Sequence, residues 1–131
     1  MSEYIKQAES FLEKTGSKLE IEYLKNDFHF EGDKSKRDIY RCTLSRGARS
    51  YTFNFGQSIA DSQKGEKPTS YDILACLQTY PVYTFEDFCS EFGYDNDSIK
   101  ALKVYEAVKD EYNNLCRLYT DQELELLSEI Q

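Results

Sequence analysis

An α+β domain is what the 131-residue sequence predicts: an N-terminal helix, a three-stranded antiparallel meander, then a C-terminal bundle of about four helices. Three observations lead there. Apolar residues recur at helical spacing over 3–15, then with a period of two between 19 and 55. Beyond residue 69 the helical spacing returns, punctuated by threonine–acid pairs of the kind that start helices. A meander followed by a run of helices is an α+β pattern, and the length suits one domain over 1–131. Within it, 1–56 reads as helix plus sheet, 57–68 as a loop and 69–131 as an acidic helical half.

Each element has its own signal. Tyr4, Ile5, Ala8, Phe11 and Leu12 fall on one helical face, with Ser2 placed to cap the start and Gly16 to end the helix. Leu19, Ile21 and Tyr23 then alternate with Glu20 and Glu22. The same alternation recurs at Phe28/Phe30, at Tyr40/Cys42/Leu44 and at Tyr51/Phe53/Phe55. These are half-buried strands, expected at 18–30, 38–45 and 50–56, with turns at 31–36 and 45–49. Gly65 and Pro68 argue against a long helix in 57–68, leaving room for one short turn. Thr69–Asp72, Thr84–Asp87 and Thr120–Glu123 are capping pairs, each ahead of an apolar run. Tyr83 and Phe88 are spaced as a hydrophobic staple, Gly93 ends the second of these helices, and Asp97 is placed to cap a long helix over about 98–119. Leu102, Tyr105, Val108, Tyr112, Leu115 and Tyr119 mark the apolar stripe of that helix.

Charge divides the chain. Residues 1–55 carry 10 basic and 9 acidic side chains, a balance of +1, whereas 56–131 carry 6 and 15, a balance of −9, giving the net −8. Such asymmetry points to charged partners. Cys42, Cys76, Cys89 and Cys116 show no CxxC spacing, and three sit in apolar helical surroundings, so buried free thiols in a reducing compartment are expected. The first residues lack a signal-peptide core, and no apolar run approaches the ~18 residues of a membrane span. The expected location is the cytoplasm.

Catalytic motifs are scarce. His29 is the single histidine, and it stands on the strand face opposite its phenylalanine neighbours, which leaves no partnered triad in view. The cysteines have no zinc spacing. The stretch Asp95–Lys100 resembles a calcium loop only until its fifth and sixth positions, which are Ile99 and Lys100. Phosphate-binding glycine loops are absent from the sequence. No catalytic, cofactor-binding or metal-binding residue is therefore assigned, and no cofactor is expected.

Two charged constellations remain. Lys34, Lys36, Arg37, Arg41, Arg46 and Arg49 gather on the second and third strands and their turns, with Tyr40 and Tyr51 among them, a mixture suited to phosphate contact and base stacking. The plainer reading is the polar outer face of a sheet. Glu86, Asp87, Glu91, Asp95 and Asp97 crowd the second capped helix, while Glu106, Asp110, Glu111 and Asp121 are read along the long one. A rigid array of carboxylates imitates phosphate spacing and steers toward a basic groove; caps and solvation account for several of these acids. Eleven tyrosines exceed what a core this small needs, and tyrosine is enriched at interfaces.

The segments FNFGQSIADS, KPTSYDILACLQTY, TFEDFCSEFGYDNDS and YTDQELELLSEI, spread over Phe53 to Ile130, resemble a set of small uncharacterised proteins encoded by phages and prophages. YDILACL and FEDFCSEFGYD are the most specific of these. The resemblance transfers no functional residue. It implies an anti-defence factor, such as an anti-CRISPR protein that binds an effector complex stoichiometrically. The expectation is thus a non-enzymatic protein that inhibits a host defence nuclease by occupying its nucleic-acid-binding surface, the partner being a protein and not a membrane. Two alternatives stand beside it: a nucleic-acid-binding accessory module using 34–49, and a small carboxylate-dependent enzyme.

Overall fold

The computed structural model describes residues 3–29, 34–81, 84–93 and 99–130. Helix α1 (Glu3–Thr15) precedes strands β1 (Ser17–Asp27), β2 (Arg37–Arg46) and β3 (Arg49–Gly56). Helices α2 (Ile59–Lys64), α3 (Ser70–Leu74), α4 (Phe85–Phe92), α5 (Ile99–Leu118) and α6 (Asp121–Ile130) follow. This is the α+β order read from the sequence.

The strands form one antiparallel sheet in the order β1-β2-β3. Its register gathers the alternating apolar residues into three rows on one face: Leu19–Leu44–Tyr51, Ile21–Cys42–Phe53 and Tyr23–Tyr40–Phe55. Tyr23 pairs with Tyr40 but Lys25 with Ile39, so Leu24 is a bulge, after which β1 stays paired with β2 to Asp27. Gly47 at φ 60° opens the two-residue β2–β3 turn, with Ala48 at negative φ, the pattern of a type II′ hairpin. On the opposite face lie the polar rows Glu20–Thr43–Thr52 and Glu22–Arg41–Asn54.

Helices cover the apolar face. The main core joins Ala8, Phe11 and Leu12 of α1, Leu44 of β2, Leu74 and Leu77, Leu115 and Leu118 of α5, and Leu124, Leu127 and Ile130 of α6. Ile73 seals Tyr40 and Cys42 beneath α3. A separate cluster of Phe88, Cys89, Ala101 and Tyr105 holds α4 against the first half of α5. A hydrogen-bonded chain locks the first turn: Thr15 Oγ1 donates to Phe11 O (2.8 Å) and meets Ser17 Oγ (2.6 Å), which meets Tyr119 Oη (2.8 Å).

Four readings need correction. β1 stops at Asp27, short of residue 30, and Phe28 is half exposed, because Asp27 already pairs with Arg37, the first residue of β2. The 57–68 segment is not simply a loop: Ser58 caps α2 and Gly65 closes it at φ 71°. Leu102 is exposed and Ala101 is buried instead, since the α5 face is rotated so that a small residue meets Phe88 and Cys89. Among the thiols only Cys42 and Cys89 are buried; Cys116 is exposed, and Cys76 lies in the turn after α3. Tyr83, Asp95, Asp97 and the proposed cap at Asp95–Ser98 fall outside the described residues, as do Ser2 and Phe30.

Candidate interaction surfaces

The six basic candidates do not share one patch. Lys34, Lys36 and Arg37 stand at one end of β2 and Arg46 and Arg49 at the other, about 30 Å apart at the ordinary strand rise of about 3.3 Å per residue. Arg46 is drawn inward: Nη1 donates to Leu118 O (2.9 Å) and to Glu123 Oε1 (2.6 Å), and its guanidinium lies over the Tyr119 ring. Arg49 Nη1 donates to Arg117 O (2.6 Å). Both cations thus meet carbonyls at the C-terminal end of α5, where the helix dipole is negative. Arg41 forms an exposed pair with Glu22 (3.5 Å), and Lys36 lies over the Phe28 ring. Lys34 is exposed, and Arg37 is half-buried at the start of β2.

The acidic candidates also separate. Glu86, Asp87 and Glu91 are exposed on α4, with Thr84 Oγ1 accepting from the Asp87 backbone N–H (3.0 Å). Glu106 and Asp110 are exposed on α5, but Lys103 and Arg117 share that outward side, which makes it electrically mixed. Glu111 turns inward: its Oε2 accepts the backbone N–H of Gln78 at 3.1 Å, and burial raises its carboxyl above the usual carboxylate range. Asp121 begins α6, a different helix from the one on which it was read.

The sequence reading missed the sign purity of α6. This helix carries Asp121, Glu123, Glu125 and Glu129 and no basic residue. Glu123 serves the capping box with Thr120 and the pair with Arg46, which together hold its carboxyl below the usual range. The others, at i, i+4 and i+8, line a groove of about 570 Å³ with Thr79, Tyr80, Pro81, Tyr112, Leu124 and Ser128. Tyr80 is 63% exposed there. Asp121, Glu125 and Glu129 form no ion pair among the described residues. The four-residue spacing was legible in the sequence; its companion Tyr80, forty residues earlier, was not.

Chemistry at the remaining candidates is subdued. Burial pushes the Cys42 thiol up to about 11 and the Cys76 thiol to about 12, the latter helped by the nearby Glu111 carboxylate, and a thiol so held is a poor nucleophile. Cys76 Sγ, although its residue is exposed, donates back to Ile73 O at 3.0 Å. His29 is exposed two residues beyond the end of β1, and its side chain covers Gly56, where an added Cβ would stand 2.5 Å from the ring's Cγ. Among the described residues no three His, Cys, Asp or Glu side chains are grouped to hold a metal ion, and no helix is long and apolar enough to cross a membrane. Comparison with protein-family models, curated proteins and solved structures returns no match.

Proposed function

We propose that this chain is a binding protein without catalytic activity of its own, one that presents acidic helices to the basic, nucleic-acid-binding surface of a partner protein. The observation that carries the reading is the α6 stripe: three carboxylates one turn apart, beside the exposed ring of Tyr80, with no basic residue on the helix. Carboxylates on a rigid helix give directed complementarity to lysine and arginine, and a neighbouring tyrosine supplies amphipathic contact area. In the form that the phage resemblance implies, the partner is a host defence nuclease such as a CRISPR effector, inhibited stoichiometrically. The acid set differs from that read in the sequence, because Glu111 is occupied within the fold and Glu106 and Asp110 are flanked by cations.

The test is a cleavage assay on candidate effectors, titrated with this protein and with the triple variant Asp121→Lys/Glu125→Lys/Glu129→Lys. Inhibition that saturates at equimolar protein, and weakens by about a hundredfold or more in the variant, is expected. Undiminished inhibition by the variant removes the stripe from the argument. Glu106→Lys/Asp110→Lys is the comparison, with a smaller effect expected. Gel shifts with DNA and RNA at low salt address the alternative: the separation of the basic residues and the internal use of Arg46 and Arg49 predict no shift. A salt-sensitive shift abolished by replacing Lys34, Lys36 and Arg37 would put the nucleic-acid-binding reading first.

A further inference from the structure

β1 gives one edge to β2 and pairs with no strand along the other among the described residues. Its middle is open on both faces. Glu20, Ile21, Glu22 and Tyr23 are all exposed, Ile21 at 36% and Tyr23 at 54%, although both lie in the apolar rows of the sheet. Ile73 of α3 packs with Tyr40, Cys42, Leu19, Phe53 and Phe55, and Ile21 is left outside that cluster. Edge strands are ordinarily guarded by proline, by a central lysine or by a bulge. In β1 the lysines stand toward the ends, Lys18 and Lys25, and the bulge comes only after Tyr23. Five residues, Leu19–Tyr23, therefore offer regular unpaired backbone beside uncovered apolar side chains.

Charge selects what fits there. Ile21, Leu12 and Leu19 line a groove of about 460 Å³, with Glu9 and Glu13 of α1 on its wall and Lys18, itself paired with Glu20, as its one lining cation. Glu20 and Glu22 stand on the other face of the strand. Glu9 Oε1 accepts from Ser70 Oγ (2.8 Å), and Glu20 and Glu22 hold exposed pairs with Lys18 and Arg41, each at 3.5 Å. Pairs of that kind are weak and readily exchanged. A second copy of this strand suits the edge badly: antiparallel self-pairing centred on Ile21 sets Glu20 against Glu22 twice. We infer that the Leu19–Tyr23 edge of β1 takes up an extended segment of another protein in which aliphatic residues alternate with lysine or arginine. Its backbone completes a fourth strand, its aliphatic side chains extend the Leu19–Ile21–Tyr23 face beneath α1, and its cations meet Glu20 and Glu22. This surface uses residues distinct from the α6 stripe and stands independently of it.

A short capped peptide of alternating valine and lysine is the probe, with alternating valine and glutamate as its counterpart, followed by amide NMR and hydrogen exchange on the intact protein. Saturable shifts centred on 18–24, with exchange slowed by about tenfold or more at alternate amides of Leu19–Tyr23, are expected. Glu20→Lys/Glu22→Lys should weaken the lysine peptide by about tenfold or more and admit the glutamate peptide, with the remaining amide spectrum intact. The α6 triple variant should bind the lysine peptide unchanged, so that failure at one surface is separable from failure at the other. Shifts that fall on α6 instead, absence of saturation at millimolar peptide, or concentration-dependent dimerisation through β1 in sedimentation would each overturn the inference.

Discussion

Arg46 shows how a side chain's role depends on what the fold brings to it. In the sequence it is one of several cations on a strand turn; in the fold it joins Leu118 O, Glu123 and the Tyr119 ring. Arg46→Ala should lower stability by about 1–2 kcal/mol, as read by urea unfolding, the value for a charge-assisted contact reduced for partial exposure. Its partner and Glu111 should respond to pH in opposite directions. Glu123 is held below its unfolded value, so its contribution is present above the ordinary carboxylate range and is lost as pH falls through the lowered value. Glu111 is raised by burial, so its contribution is present below that range and is lost as pH rises through the raised value. In unfolding curves over acid to neutral pH, Glu123→Gln should flatten the loss on acidification. Glu111→Gln should leave the protein relatively more stable at neutral pH, since an amide oxygen still accepts from Gln78. Thiol labelling near pH 8 offers a further check: Cys116 reacts first, exposed Cys76 lags because its thiol is raised to about 12 and donates to Ile73 O, and buried Cys42 and Cys89 wait on opening of the fold.

Among the elements, the helix starts rest on local chemistry. Thr69 and Asp72 form a reciprocal capping box on α3, and Thr120 and Glu123 form one on α6. Thr120→Ala should cost about 1 kcal/mol in unfolding free energy and release the Glu123 N–H. Gly56→Ala should displace His29, because the new methyl occupies the place of its Cβ and ring; a moved histidine resonance at modest stability cost is the expected outcome. These same features explain how much the sequence discloses. Caps, alternation and helical spacing act within a few residues, and α1, the three strands, α3, α4, α5 and α6 were all legible to within a few residues of their ends. What depends on distant neighbours was not. The rotation of α5 that buries Ala101 is set by α4, the inward turn of Glu111 by Gln78, and the capture of Arg46 by a helix junction more than seventy residues away. The candidate sites suffered most for that reason, since linear proximity of like charges says nothing about which of them the fold itself will use.

At the scale of the whole molecule, two cores of unequal size share one helix. α5 gives Tyr105 to the small cluster and Leu115 and Leu118 to the large one, over a length of about 30 Å. The large core closes through α6, which returns Leu124, Leu127 and Ile130 to the first helix. Leu127→Ala should therefore cost about 2–5 kcal/mol globally. Phe88→Ala should act locally: amides of α4 and the first half of α5 should exchange early, while β2 and the α1–α6 core keep their protection. Exchange that rises uniformly across the chain would show instead that the two cores open together.

The polar outer face of the sheet bears on how this chain changes over generations. Thr43, Thr52, Ser50 and Asn54 lie on the side away from the helices, so exchanges among them leave the core as it was. Divergent descendants should accumulate substitutions along those rows first. Glu20 and Glu22 share the same face at its free margin. If that margin serves a partner, drift should slow there, and the boundary between changing and unchanging positions would run down the sheet between β1 and β2.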